Sequence, residues 1–306
     1  MSTSVDLSVV IAGVTWKNPV STASGTFGYG LEFEPFVDLS RLGSITVKGL
    51  SREPVQGNPP PRIAETPAGM LNAIGLQNIG VEVFVKEKLP KLLELETPIY
   101  ANIFGYTVEE YEAAAAYLDG VDGIAGLEVN ISCPNIKCGG MAFGVTPEAT
   151  KEVVGVVRKA SKLPMLVKLS PNVTDVCAIA RAAVEAGADG LTLINTLRGM
   201  AIDIKQRKPV LAMKTGGLSG PAIRPVALRI VYEVASAVSV PIIGVGGIST
   251  ASDVLEFLMA GATGVQIGTA NFRDPQATIK AIEKLEQWLD REGVKSIKEI
   301  IGAAQE

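Results

Sequence analysis

The chain has 306 residues, 47% of them apolar and 20% charged, with a net charge of −4 and a pI near 5.2. That composition fits a globular chain long enough for an α/β barrel, and it carries no basic block suited to nucleic acid or to an anionic membrane surface. Histidine is absent and cysteine occurs only at Cys133, Cys138 and Cys177, which excludes His-based triads and His metal sites, a disulfide framework, and the four thiolates of an ordinary iron–sulfur cluster.

Residues 5–16 alternate apolar and polar and turn near Gly13, which reads as a short hairpin. Eight β-rich runs follow, at 19–23, 45–47, 99–103, 127–131, 165–169, 191–195, 242–245 and 265–267. Several are apolar on both faces, as parallel strands buried on both sides require. Helical stretches lie between them. Thr107 and Glu110 make a capping box before 111–118, and Thr146-Pro147 opens a second helix. Thr174 opens 176–185, which stops at Gly187; Ser252 or Thr250 opens 253–260, which stops at Gly261. The segments Ala186-Gly187-Ala188-Asp189-Gly190 and Ala260-Gly261-Ala262-Thr263-Gly264 echo one another as the same helix-to-strand joint. Repeated βα units favour a closed (β/α)8 TIM barrel over a doubly wound sheet, and no G-x-G-x-x-G follows a strand. The long connections 48–80, 132–146 and 196–220 all follow strands, so in a barrel they share the C-terminal face, where active sites sit. The expected organisation is a single domain over 1–306.

Polar residues stand at these strand ends: Ser24-Gly25, Lys48-Gly49, Asn102, Asn130, Lys168, Asn195-Thr196, Gly246-Gly247 and Gly268-Thr269. Together they predict a ring of donors around one mouth. The glycines after the last two strands suit a phosphate, approached by backbone N–H groups. Lys168 lies inside an apolar run and needs a partner: a barrel carboxylate, or negative charge on a bound cofactor. Cys133 ends a strand and leads a glycine-containing loop, a position for a base or nucleophile as much as for an inert thiol. With no histidine, proton transfer falls to Cys, Lys, a carboxylate, Tyr or Ser. No metal site is expected. The sparse cysteines suit a reducing, cytoplasmic compartment, and the polar stretch from Met1 to Asp6 lacks a signal-peptide pattern.

The segment Asn130-Ile131-Ser132-Cys133-Pro134-Asn135 resembles the catalytic loop of class 1 dihydroorotate dehydrogenases. So do Asn72-Ala73-Ile74-Gly75-Leu76-Gln77-Asn78 and Gly57-Asn58-Pro59-Pro60-Pro61-Arg62, and the strand-end motifs match in order across nearly the whole chain. The resemblance implies oxidation of dihydroorotate to orotate in pyrimidine biosynthesis, with FMN as cofactor and Cys133 as base. It implies that Ser24, Lys48, Gly49, Asn102, Asn130, Lys168, Ile194, Gly220, Gly246, Gly247, Gly268 and Thr269 hold FMN. It also implies that Lys48, Asn72, Ala73, Ile74, Gly75, Leu76, Asn130, Asn195 and Thr196 hold the substrate. The stretch 58–71 is similar to the NAD-linked class (class 1B), whose barrel subunit works as a homodimer with a second subunit carrying FAD and a 2Fe-2S cluster, in a heterotetramer. The fumarate-linked class 1A shares the cysteine loop and remains an alternative. A dihydropyrimidine dehydrogenase-like FMN reductase, a non-catalytic flavin-binding barrel and a non-flavin lyase or aldolase are further alternatives.

Overall fold

Eight short parallel strands close on one another in chain order, in a computed structural model that describes residues 5–132 and 143–305. They are β1 (Val20–Thr22), β2 (Ser44–Thr46), β3 (Ile99–Ile103), β4 (Ile124–Asn130), β5 (Met165–Leu169), β6 (Gly190–Leu193), β7 (Ile242–Val245) and β8 (Gly264–Ile267). Every residue of β3 and of β5 is buried. The barrel provides one face of that burial and the outer helices the other, which is why these strands read as unbroken apolar runs. The β/α barrel expected from the sequence is therefore the architecture observed.

The outer layer follows the sequence closely, with three corrections. Thr107 caps Val108–Asp119 by accepting from the Glu110 N–H, but the Glu110 carboxylate takes the Tyr106 N–H at 2.6 Å instead of returning to Thr107. The reciprocal box expected there is thus displaced by one residue. Thr146 with Pro147 does open Pro147–Ala160. Asp175, not Thr174, caps Val176–Glu185, because Asp175 occupies the position three residues before Ala178 and its carboxylate accepts the Ala178 N–H at 2.9 Å. Thr250 opens Ala251–Met259 with a full capping box to Asp253. After β1 the chain makes only two 3₁₀ turns, Leu31–Phe33 and Leu39–Arg41, where a helix was expected.

The two echoed joints are one structure used twice. Gly187 and Gly261 have φ of 107° and 105°. The Ala188 N–H bonds the Ala183 carbonyl and the Ala262 N–H the Phe257 carbonyl, both at 3.0 Å. Each ends a helix and aims the chain into β6 or β8.

The N-terminal hairpin, Val9–Ile11 with Val14–Trp16, turns at Ala12-Gly13 as expected and closes the barrel's lower end. Trp16 is fully buried; its Nε1 donates to the Tyr100 hydroxyl at 3.3 Å, and the rings meet edge-on at 5.7 Å. Burial pushes the Tyr100 phenol up to about 12, so it stays neutral inside. Gly126 makes room for it: a Cβ there would stand 2.6 Å from the Tyr100 ring.

At the opposite end, the connections after β2 and β6 form a second sheet. Strands Ile63–Thr66, Gly69–Asn72, Thr215–Ser219 and Leu197–Met200 lie side by side, all antiparallel, in that order. Both segments were read only as long connections, because their pairing joins positions far apart in the chain. Among the described residues, no helix is long and apolar enough to cross a membrane.

Candidate functional site

Two adjoining cavities open at the C-terminal mouth, one of about 400 Å³ and one of about 80 Å³. The larger is lined by Ser24, Lys48, Gly49, Asn102, Asn130, Lys168, Asn195, Thr196 and Thr269, and on its loop side by Asn72, Ala73, Ile74, Gly75 and Leu76. The smaller is lined by Ile194, Gly220, Gly246, Gly247 and Gly268, and it shares Ser24, Lys168, Asn195, Thr196 and Thr269 with the larger. Every site residue expected from the sequence therefore reaches this mouth, except Cys133. Cys133 lies outside the described residues, immediately after Ser132, which does line the larger cavity.

The mouth is organised by side-chain amides. The Asn130 Oδ1 accepts from the Ser132 hydroxyl at 2.6 Å, the Ser132 N–H at 3.3 Å and the Asn195 Nδ2 at 3.3 Å. Asn195 Nδ2 also donates to the Ser132 hydroxyl at 2.5 Å, while its Oδ1 accepts from the Thr196 N–H at 2.7 Å. These bonds fix both amide orientations. Asn130 Nδ2 has no partner among the described residues, so the set presents a donor to the cavity. The backbone is pinned as well: the buried Tyr111 hydroxyl donates to the Asn130 carbonyl at 2.7 Å. Ser132 was not among the expected site residues. Its position beside Cys133 is the signal that could have found it.

Below the amides, Lys168 lies 3.3 Å from the Glu128 carboxylate. Of the two alternatives for Lys168, the barrel carboxylate is the one observed, and Lys168 also lines both cavities. Glu128 is fully buried and accepts from Asn102 Nδ2 at 2.6 Å and Gln266 Nε2 at 2.7 Å. Gln266 Nε2 also donates to Thr46 Oγ1 at 3.1 Å. Asn102 Oδ1 is buried with no hydrogen-bond partner. Glu128 and Asn130 are two apart on β4 and so share the inward face. A charge within an apolar strand was the signal for Lys168, and Glu128 carries the same signal.

The second sheet forms the cavity's outer wall. Asn72 Nδ2 donates to the Gly217 carbonyl at 3.4 Å, and Asn58 holds the loop from below through the Ile74 and Ala73 carbonyls. Arg62 and Arg198 line the same cavity and were not expected as site residues. Burial pulls the Lys48 ammonium below its usual range; the Arg62 charge adds to this and Glu32 opposes it. A half-buried cation depressed in this way gains from an anionic ligand.

Gly246 and Gly247 follow β7 with φ of 137° and 75°. A Cβ on Gly247 would meet Arg224 Cβ at 2.7 Å and the Gly220 carbonyl at 2.8 Å. No hydrogen bond among the described residues takes up the Gly247 N–H. The smaller cavity thus has a side-chain-free backbone wall, which suits a phosphate.

A family model described as dihydroorotate dehydrogenase matches residues 6–289. The chain is 59% identical over 298 residues to the dihydroorotate dehydrogenase B (NAD(+)), catalytic subunit, of Geotalea uraniireducens (strain Rf4), covering 97% of this chain and 98% of that protein. It is 57% identical over 300 residues to the proteins of the same description from Geobacter sp. (strain M21) and Pelobacter propionicus (strain DSM 2379 / NBRC 103807 / OttBd1). Those matches cover 98% of this chain in each case, and 98% and 99% of the two relatives. With the family model spanning most of the barrel and relatives this similar over their full length, the chain belongs to the dihydroorotate dehydrogenase family.

Proposed function

We propose that this chain is the FMN-containing catalytic subunit of an NAD-linked dihydroorotate dehydrogenase, oxidising (S)-dihydroorotate to orotate in pyrimidine biosynthesis. The observation that carries the reading is the pair of adjoining cavities at the barrel mouth, one walled by strand-end amides and lysines and the other bounded on one side by glycine backbone. FMN fits this set. The glycine wall of the smaller cavity suits its phosphate, and the orphaned Asn102 Oδ1 and the Lys168 ammonium suit a ring system with both N–H and carbonyl edges. In this reading the whole chain, 1–306, is one FMN-binding barrel domain.

FMN supplies, when bound, a hydride acceptor for carbon 6 of the dihydropyrimidine. The residues of this chain do the rest. Ser24, Lys48, Gly49, Asn102, Asn130, Lys168, Ile194, Gly220, Gly246, Gly247, Gly268 and Thr269 hold the cofactor. Asn72, Ala73, Ile74, Gly75, Leu76, Asn195 and Thr196, with Lys48 and Asn130, hold the substrate and keep water from it. Cys133, as thiolate, takes the proton from carbon 5, so the hydride and the proton leave the substrate from adjacent carbons and a carbon–carbon double bond forms. An ordinary free thiol has a pKa of about 8.5, so turnover rises with pH through the thiolate's range.

Electrons leave toward NAD through a partner. The resemblance to the NAD-linked class implies a second subunit carrying FAD and a 2Fe-2S cluster, and this chain, with three cysteines and no G-x-G-x-x-G after a strand, would need that partner to use NAD. The assembly we infer is a cytoplasmic heterotetramer built on a homodimer of this chain. The description of the relatives as catalytic subunits supports it.

The test is stopped-flow reduction of the bound flavin by dihydroorotate, in wild type and Cys133→Ser. We expect normal FMN binding in the variant and a reduction rate lower by about 10²-fold or more, the scale of a lost general base. Equal rates overturn Cys133 as the base, and reduction by dihydrouracil in preference to dihydroorotate overturns the substrate. Co-purification of an FAD and iron–sulfur subunit checks the electron route; a stable homodimer that reduces fumarate overturns it.

A further inference from the structure

We propose that Glu128 is a positioning residue that sorts the polar atoms of the barrel floor and holds down the reduction potential of the flavin above it; the inference rests on the FMN reading. Three donors converge on this one carboxylate. Its Oε1 takes Asn102 Nδ2 at 2.6 Å and Lys168 Nζ at 3.3 Å, and its Oε2 takes Gln266 Nε2 at 2.7 Å. Four strands are thereby tied together inside the barrel, since Asn102, Glu128, Lys168 and Gln266 stand on β3, β4, β5 and β8.

The first consequence is polarity. Because one N–H of Asn102 Nδ2 is given to Glu128, the amide is held in one orientation, with its Oδ1 turned away from the carboxylate, and that atom is buried without a partner. With Asn102 turned this way, the floor beside the larger cavity has an acceptor at β3 and a donor at β5. An N–H edge of the ligand is matched to the first and a carbonyl or anionic edge to the second. If the Asn102 amide were reversed, that match would be lost.

The second consequence is charge. Lys168 lines both cavities, and a lone cation there would favour whichever form of the ligand is more negative. Glu128 is fully buried, so solvent does little to screen it, and at 3.3 Å it offsets most of the lysine's field as felt from the cavity. Reduced flavin carries more negative charge than oxidised flavin. The carboxylate therefore makes the reduced form less favourable than Lys168 alone would, which eases the onward transfer of electrons.

Two substitutions separate these roles. Glu128→Gln removes the charge and keeps the shape. Its Oε1 can still accept from Asn102 and Lys168, and its Nε2 can donate to Gln266 Oε1, a buried atom that now lacks a partner, once that amide turns over. Glu128→Asp keeps the charge and withdraws the carboxylate by one methylene, so it no longer reaches all three donors. Potentials would be measured by equilibrating the FMN-loaded protein with redox dyes, affinity by fluorescence titration with FMN, and folding by thermal melting.

For Glu128→Gln we expect bound FMN and a potential raised by about 30 mV or more, which is a tenfold tightening of reduced over oxidised flavin in a two-electron couple. For Glu128→Asp we expect a potential within that margin of wild type and FMN affinity at least tenfold weaker. A merely structural carboxylate would lower both melting temperatures and leave the potentials alone. An unshifted potential in folded Glu128→Gln overturns the inference. Should that variant not fold, unchanged FMN affinity in Glu128→Asp overturns it. Wild-type protein that takes up no FMN overturns the functional reading itself, and so is distinguishable from either result.

Discussion

Lys48 stands where burial and a neighbouring cation act together. The larger effect is desolvation, followed by the Arg62 charge, and both disfavour the ammonium in the folded chain. An anionic ligand such as orotate would favour the ammonium again, so binding should draw in a proton wherever free Lys48 is partly neutral. The sign follows: affinity is full below the lowered pKa and falls as pH rises through it, at lower pH than an ordinary lysine would give. Calorimetric titration with orotate in buffers of different ionisation enthalpy measures this uptake. Its absence on the alkaline side would show that Lys48 does not touch the ligand's charge. Lys168 and Glu128 show what reading at this scale captures and what it loses. A lysine in the run Met165–Leu169 is visible in the sequence because burying an isolated charge is costly. Glu128 breaks its own run in the same way, but its neighbours in sequence include Asn130 and the cysteine loop, which draw the chemical reading to themselves. The pairing is legible only once barrel closure brings together two residues 40 positions apart.

Among elements, the N-terminal hairpin carries a stability role separable from the site. Trp16→Ala should cost about 3–5 kcal/mol, the range for losing a large buried aromatic, and should also leave the Tyr100 hydroxyl without its donor. Chemical denaturation measures that loss. FMN affinity should be unchanged within a factor of two or three, because the hairpin closes the end of the barrel opposite the mouth; a large drop in affinity would mean that the floor deforms with its lower seal. The strands and most helix starts were readable because they obey local rules: two-faced burial, side-chain caps, glycine stops. Asp175 displaced Thr174 as a cap within a single residue, a shift that depends on which side chain reaches the Ala178 N–H. The four-stranded sheet at the mouth was not readable at all. Its strands are short, Ile63–Thr66 is alternately exposed, and its central pairing joins Leu71 to Leu218. Nothing local to either segment announces the other.

For the whole molecule, cofactor and fold should be thermodynamically linked. A ligand bound only by the folded chain at about 100 times its Kd adds about 2.7 kcal/mol to stability. In a protein of this size that corresponds to a rise in Tm of several degrees, read by scanning calorimetry of the FMN-free and FMN-loaded chain. An unmoved Tm in saturating FMN would show that the folded barrel does not take it up. The antiparallel sheet has a consequence for how such a molecule can change over generations. The connections after β2 and β6 are separate in the gene, yet each supplies half of one hydrogen-bonded ladder, with Gly69–Asn72 edge to edge against Thr215–Ser219. A segment borrowed from a relative for one connection alone would arrive without its mate, so the two should be exchanged together or not at all. The outer wall of the larger cavity is inherited as a matched pair of loops.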